Sequence, residues 1–280
     1  MIRFDGRVVL VTGSGRGLGA AYAREFAALG ASVVVHDAGL ELDGTGGDPS
    51  VADAVVEEIA RAGGTAVASY ENLADPDACR RTVERALERF GQLDAVVHNA
   101  GLLVFEELED ADRSWEAVRR VTVDAPFHIT RAALPAMKDQ GFGRFVFTTS
   151  GRGMWLEHAR PGLAAYATGK MAAFGLMLVV AVEGEAYGIR ANAVSPVAAT
   201  RMLQRETEAR ELAPELVVPG VVFLASEECS FSGTVLRAAD GRFSTVGWHA
   251  GEGIDLGREP GGADAVHERW SEIEGKVRVA

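Results

Sequence analysis

The chain has 280 residues, 48% hydrophobic and 24% charged, and carries 28 Lys and Arg against 40 Asp and Glu for a formal net charge of −12. This is the composition of a globular protein with a large core, and the acidic balance argues against a nucleic-acid backbone as partner. Cys79 and Cys229 lack metal-like spacing and read as reduced structural thiols, so no metal is expected, and the apolar runs look too short or interrupted to span a bilayer.

The opening residues, MIRFDGRVVLVTG, show neither the apolar stretch nor the cleavage site of a signal peptide, so a soluble cytoplasmic protein is expected. RVVLVT at 7–12 is a short β-rich run. The sequence after it, TGSGRGLGAAYAREF, places Gly13, Gly17 and Gly19 between that strand and a helical pattern. Missing side chains let backbone N–H groups approach a pyrophosphate, and the helix N-terminus adds partial positive charge. The next run, ASVVVHD, ends at Asp37, 24 residues beyond Gly13. A carboxylate there accepts hydrogen bonds from adenosine ribose hydroxyls and repels a 2′-phosphate, which favours NAD over NADP. Arg16 could partly compensate such a phosphate and keeps NADP open, and capping of the following loop is the alternative role for Asp37. Residues 39–49 form a long Gly/Asp-rich loop expected to flank the adenosine end.

Further runs follow at TAVASY, LDAVVHNA, GRFVFTTS, IRANAVS and TVLRAA, alternating with helical patterns such as SVADAVVEEIARAGG and PDACRRTVERALERFG. The alternation predicts an α/β fold, a Rossmann-like doubly wound sheet of about seven parallel strands with helices on both faces, in a single domain over residues 1–280. Asp240 and Gly241 predict the turn of a C-terminal hairpin extension, and 251–280 reads as a polar tail with one short helical stretch.

Within AAYATGK, Tyr166 and Lys170 stand four residues apart, which puts both on one helix face. A free phenol titrates near ~10, so proton exchange near neutral pH needs a neighbouring positive charge, which Lys170 can supply. Met154, Trp155 and Leu156, with Met202, Leu203 and Trp248 from later loops, predict a hydrophobic substrate mouth, and Arg152, Arg160 and Arg201 are candidates to meet a phosphate or carboxylate.

Taken together, TGSGRGLG, HNAG at 98–101, Ser150 after a strand, Tyr166-x-x-x-Lys170 and NAVSP at 192–196 resemble the short-chain dehydrogenase/reductase family across about residues 5–240. GASVVVHDAGLELDG, VVEEIARAGGTAVASYENL and TRML are similar to the subgroup that includes the (3R)-hydroxyacyl-CoA dehydrogenase region of peroxisomal multifunctional enzymes of type 2. The resemblance implies a NAD(P)-dependent oxidoreductase interconverting a secondary alcohol and a ketone, the substrate being a 3-hydroxyacyl-CoA, a steroid or another hydrophobic alcohol. It implies Tyr166 as the proton-transferring group, Lys170 lowering its pKa and touching the nicotinamide ribose, and Ser150 orienting the substrate oxygen, with Thr149 as the fallback hydroxyl. Cofactor contacts are implied for Gly13, Ser14, Arg16, Gly17, Leu18, Gly19, Asp37, Asn72, Leu73, Asn99, Ala100, Gly101, Pro196 and Thr200, and substrate contacts for Met154, Trp155 and Met202. A homodimer or homotetramer, built on TRAALPAM and KMAAFGLMLVVAVEGEA, is implied as well.

Departures accompany the match. Ser150 and Tyr166 are 16 residues apart where the family usually has 13, so GRGMWLEHARPGL is an extended loop. Thr122 stands where many members carry a proton-relay Asn, and His98 replaces the first Asn of the usual NNAG and reads as a buried packing residue. A catalytically silent nucleotide-binding protein of the same fold is the alternative.

Overall fold

Strand β1 (Val8–Thr12) is buried at every position, VVLVT. Alternate side chains point to opposite faces of a sheet, so a strand without a polar face must be covered on both sides. The computed structural model describes residues 1–200, 202, 212–248, 253–257 and 262–274. Among them, β2 (Ser32–His36), β3 (Thr65–Ser69), β4 (Ala95–His98), β5 (Gly143–Thr148), β6 (Ile189–Val197), β7 (Val235–Ala239) and β8 (Arg242–Val246) join β1 in one sheet of order β3-β2-β1-β4-β5-β6-β7-β8. The first seven pair in parallel. The eighth is the antiparallel return of the expected hairpin, turned by Asp240 at φ 51° and Gly241 at φ 67°.

Helices fill both faces. α1 (Gly17–Ala28), α2 (Ser50–Arg61) and α8 (Val218–Ala225) pack together on one side, and α3 (Pro76–Phe90), α4 (Asp112–Arg119), α5 (Ala125–Gln140) and α7 (Ala164–Gly184) on the other, with the single-turn α6 (Gly151–Met154) ahead of α7. α3 shows clear local encoding: the Asp75 side chain accepts from Asp77 N–H at its start, Pro76 opens the first turn, and Gly91 ends it at φ 78°.

Two features of this arrangement position the site. The chain builds β1, β2 and β3 outward in one direction and then returns to place β4 on the other side of β1. The loops leaving β1 and β4 therefore diverge and open a crevice at the strands' C-terminal ends, where open α/β sheets bind ligands. Between α4 and α5 the helix widens into a π-turn over Arg120–Asp124, with Ala125 N–H bonded to Arg120 O and Thr122 Oγ1 donating to Val118 O at 2.6 Å. This wide turn lies against α7 beneath the site.

Ala164–Tyr187 is long and apolar enough to cross a membrane by length and composition, with mean hydropathy 1.6, contrary to the expectation that no run would be. In the fold α7 buries Ala165, Gly169, Ala173, Met177 and Val180, while Leu178, Val179 and Val182 are exposed. The chain divides into two compact units, Met1–Thr245 and Val246–Ala280. The second contains the short helices α9 (Ala263–Glu268) and α10 (Trp270–Ile273).

Candidate active site

The glycine loop leaves β1 with Gly13 at φ 64°, where a Cβ would stand 2.8 Å from Ala100 Cα. Only a bare backbone lets this loop and the one after β4 pass so closely. The two are then tied together. Asn99 Nδ2 donates to Thr12 O and Gly13 O at 3.1 and 2.8 Å, and Thr12 Oγ1 accepts from the N–H groups of Asn99 and Ala100, both at 3.1 Å. α1 begins from this loop with no side-chain cap and no acidic residue in its first turn, so its leading N–H groups and the positive end of its dipole are left for a ligand.

A cavity of about 290 Å³ opens there. It is lined by Gly13, Arg16, Gly17 and Leu18 from the glycine loop, Asp37 from the end of β2, Asn72 and Leu73 after β3, Asn99, Ala100 and Gly101 after β4, and Thr200. Ser14 and Gly19, expected among these, line it nowhere. The Ser14 side chain is fully buried and its hydroxyl donates to Val11 O at 2.8 Å, and a Cβ on Gly19 would fall 2.6 Å from Asn99 Nδ2, so Gly19 is a packing position between α1 and the loop.

Asp37 has two tasks. Its Oδ2 accepts from Gly15 N–H at 2.9 Å and its Oδ1 from Gly39 N–H at 2.8 Å. The carboxylate thus pins the glycine loop and caps the next turn while lining the cavity, and each oxygen retains a further lone pair. His36, which the sequence did not single out, also lines the cavity. Its Nδ1 accepts from Gly13 N–H at 3.4 Å and its Nε2 donates to Glu71 O at 2.8 Å, a pairing that only neutral imidazole makes. Burial accordingly lowers its pKa. Asn72 spends its Oδ1 on Ala74 N–H at 3.0 Å, shaping the turn that presents it.

A second cavity of about 330 Å³ shares Leu18, Asn99, Thr200 and Met202 with the first and holds Ser150, Tyr166 and Lys170 together. Ser150, at the end of the β5 loop, has extended backbone, φ −153°, and its Oγ accepts from Arg152 N–H at 3.3 Å as the cap of α6. The same hydroxyl shares this cavity with the Tyr166 phenol and acts to lower its pKa. Thr149 also lines the cavity but donates its hydroxyl proton to Lys170 O at 2.8 Å, which leaves Ser150 rather than Thr149 available to a ligand. Three extra residues in the loop change none of this, because Ser150 is held by β5 and Tyr166 by α7.

Lys170 lies one turn beyond Tyr166 with its Nζ 5.8 Å from the phenol ring centre. Its ammonium runs over Gly101, where a Cβ would be 3.2 Å from Nζ. The lysine is 5% exposed, and burial brings its pKa down to about 8. Burial raises the Tyr166 phenol, and the influences pulling it back down are the Ser150 hydroxyl and the positive charge of Arg152. Burial is the largest influence on the phenol, and Lys170, expected to lower it, is not among the groups that shift it here.

Trp155, Met202 and Pro196 line this second cavity, whereas Met154, expected there, does not. It ends α6 half-buried, beside a loop that turns Trp155 inward instead. Arg237 and His158 line the cavity without having been expected. Arg201 and Leu203 lie outside the described residues. His98 is a packing residue, as expected: its ring stacks 4.7 Å from Phe147 and 6.2 Å from Phe145, Nε2 pairs with Thr130 Oγ1 at 3.1 Å, and burial lowers it to about 3.

Residues 7–211 match the family model for short chain dehydrogenase. The chain is 39% identical over 273 residues to a short-chain type dehydrogenase/reductase of Mycobacterium tuberculosis, covering 95% of this chain and 93% of that one. It is 39% identical over 280 residues to peroxisomal multifunctional enzyme type 2 of Mus musculus, covering 97% of this chain but only 37% of that longer protein. The crystal structure of a short chain dehydrogenase from Mycobacterium avium superposes with a TM-score of 0.85 at 37% identity, over 98% of this chain and 97% of the other.

Proposed function

The chain belongs to the short-chain dehydrogenase family and is a nicotinamide-dinucleotide-dependent oxidoreductase of CH–OH and C=O groups, and on that premise we propose that Ser150, Tyr166 and Lys170 carry its chemistry with NAD as cofactor. The supporting observation is that these three side chains face one cavity whose wall continues into the glycine-loop cavity. No feature of the site supports a silent nucleotide-binding protein.

The first cavity suits a dinucleotide by its donor set: the uncapped N-terminus of α1 and the bare loop at Gly13 and Gly17 for a pyrophosphate, and Asp37 for ribose hydroxyls. The Asp37 carboxylate opposes a 2′-phosphate there, and this favours NAD over NADP even with Arg16 in the same wall. When bound, the nicotinamide ring supplies the acceptor or donor of a hydride. Tyr166 Oη takes the proton of a secondary alcohol on oxidation and returns it to a ketone oxygen on reduction. Ser150 Oγ, lining the same cavity as that phenol, is placed to hydrogen-bond the same substrate oxygen and stabilise charge developing on it. Lys170, buried beside Gly101, presents its ammonium between the two cavities.

The likeness to the multifunctional-enzyme region favours a (3R)-hydroxyacyl thioester as substrate, with steroids and other hydrophobic alcohols as further candidates. Leu178, Val179 and Val182 of α7 and Phe127 of α5 leave apolar side chains exposed on neighbouring helices, which supports a homodimer or homotetramer. The test is reduced-nicotinamide formation with NAD or NADP and a (3R)-3-hydroxyacyl-CoA, beside a 17β-hydroxysteroid. Tyr166→Phe should cut kcat by ~10²–10⁴ while NAD binding stays intact. An unchanged rate in that variant would defeat the mechanism.

A further inference from the structure

Among the described residues, the charged ones lining the second cavity are Arg152, Arg160, Lys170 and Arg237, with no carboxylate among them. That runs against a chain in which acids outnumber bases 40 to 28. Lys170 belongs to the chemistry already described. The arginines do not, and they line only this cavity, whereas the pyrophosphate candidates around Gly13 and Arg16 line the other.

Two of the arginines lie toward the reacting end. Gly151 follows Ser150 and has no side chain, and a Cβ there would stand 2.7 Å from Trp155 Cζ3, so the indole lies on the backbone next to the site's serine. Arg237, on β7 in register with the lining residue Ser195 of β6, places its guanidinium carbon 5.7 Å from the centre of that indole. A cation at this distance over an aromatic face is attracted by the ring and keeps its N–H donors for a ligand. Arg152 comes two residues after Ser150, close enough for its charge to act on the Tyr166 phenol. Among the described residues neither Arg152 nor Arg237 has an ion-pair partner. Arg160 is tied to its own loop, Nη1 donating to Glu157 O and Ala159 O at 3.2 and 2.9 Å.

We propose that the substrate carries an anionic group, a carboxylate or a phosphate, which Arg152 and Arg237 bind while its hydroxyl or carbonyl meets Ser150 and Tyr166. This rests on the oxidoreductase reading of the same cavity. Trp155 beneath Arg237 supplies an apolar wall, so the ligand is an amphiphile: an acid with an alkyl body, or a thioester whose carrier bears phosphates. A guanidinium-to-anion hydrogen bond contributes about tenfold or more in affinity over a neutral one.

The test uses the NADH-loaded enzyme and two matched pairs of non-reacting probes, hexanoate against hexanamide and coenzyme A against pantetheine, with dissociation constants from calorimetry. The charged member of at least one pair should bind about tenfold more tightly or better. A preference confined to the first pair identifies a carboxylate near the reacting carbon, and one confined to the second identifies the phosphates of a carrier. The ratio should fall toward one in Arg152→Gln/Arg237→Gln and survive in part in Arg237→Lys, which keeps the charge. Equal or undetectable binding of both members in both pairs, or a ratio unchanged in the double glutamine variant, overturns the proposal. The underlying reading fails separately, if turnover is insensitive to Tyr166→Phe, a variant in which these binding ratios should persist.

Discussion

Replacing Lys170 by Met should stabilise the protein while stopping its turnover. The ammonium is 5% exposed, and burial takes its pKa from 10.5 to about 8. A gap of about 2.5 units, at ~1.4 kcal/mol each, means the charged lysine costs the fold about 3 kcal/mol below pH 8. Between pH 8 and 10.5 the unfolded chain holds this proton and the folded chain has released it, so the lysine's contribution to stability rises with pH across that window. Above 10.5 the penalty is gone. Met has a similar length and no charge to desolvate. Urea unfolding of the cofactor-free protein at pH 7, 9 and 10.5, with and without the substitution, isolates the effect. The comparison is needed because Tyr22 and Cys79 are also buried, the thiol being pushed up to about 12, and both pull stability down at alkaline pH in either protein. The variant should be more stable by up to ~3 kcal/mol at pH 7, with the gain shrinking toward zero at pH 10.5. A gain that does not change with pH would assign it to packing, and a loss at pH 7 would refute the desolvation argument outright.

Asp37→Ala leaves the N–H groups of Gly15 and Gly39 without their acceptor. Unfolding and cofactor titration should show ~1–3 kcal/mol lost and NAD binding weakened more than NADP binding, and an unaltered NAD affinity would remove Asp37 from the adenosine site. His98 is neutral in the fold down to about 3 against an ordinary 6.5, so the unfolded chain takes up a proton that the folded one refuses, and stability falls as pH drops through that range. At pH 4.5 this amounts to ~3 kcal/mol relative to pH 7, and His98→Leu should flatten that part of the acid profile, an unchanged slope counting against it. Gly169→Ala adds a methyl that would overlap Thr122 Oγ1 on the π-turn. Overpacking of ~1–3 kcal/mol should exceed the ~1 kcal/mol gained in helix propensity, so the melting temperature falls, and Thr122→Ala in the same chain should restore it. A single variant as stable as the parent would show that the helices separate at no cost.

Much of the fold was legible because its signals are local. Central parallel strands have no polar face, and that is why VVLVT and FVFT read as short apolar runs. The Asp240–Gly241 turn was legible from its residue types, since both must take positive φ. The eighth strand is the second arm of the expected hairpin, so the sheet contains seven parallel strands and a hairpin extension. The apolar length of α7 was underestimated, because AAYATGK and KMAAFGLMLVVAVEGEA were read apart and run on as one helix. The π-turn at Thr122 left no mark, since the side chains around it are those of an ordinary helix.

In the site, spacing by itself determined Tyr166 with Lys170, because a helix brings residues four apart onto one face whatever surrounds it. It also determined the bare loop after the first strand, because only glycine leaves room there. Which way Ser14, Gly19 and Met154 face is another matter. The close approach of α1 to the Asn99 loop makes Gly19 a packing position, and Ser14 turns its hydroxyl back onto Val11 O in the buried strand. Arg237 is 85 residues from Arg152 in the chain, and no spacing rule connects them. Only the sheet order, which sets β7 beside β6 and β6 beside β5, brings it over the indole next to Ser150. The balance at Tyr166 and Lys170 is tertiary as well: residue type supplies two titratable groups, but their pKa values follow from how much water the packed helices and loops exclude.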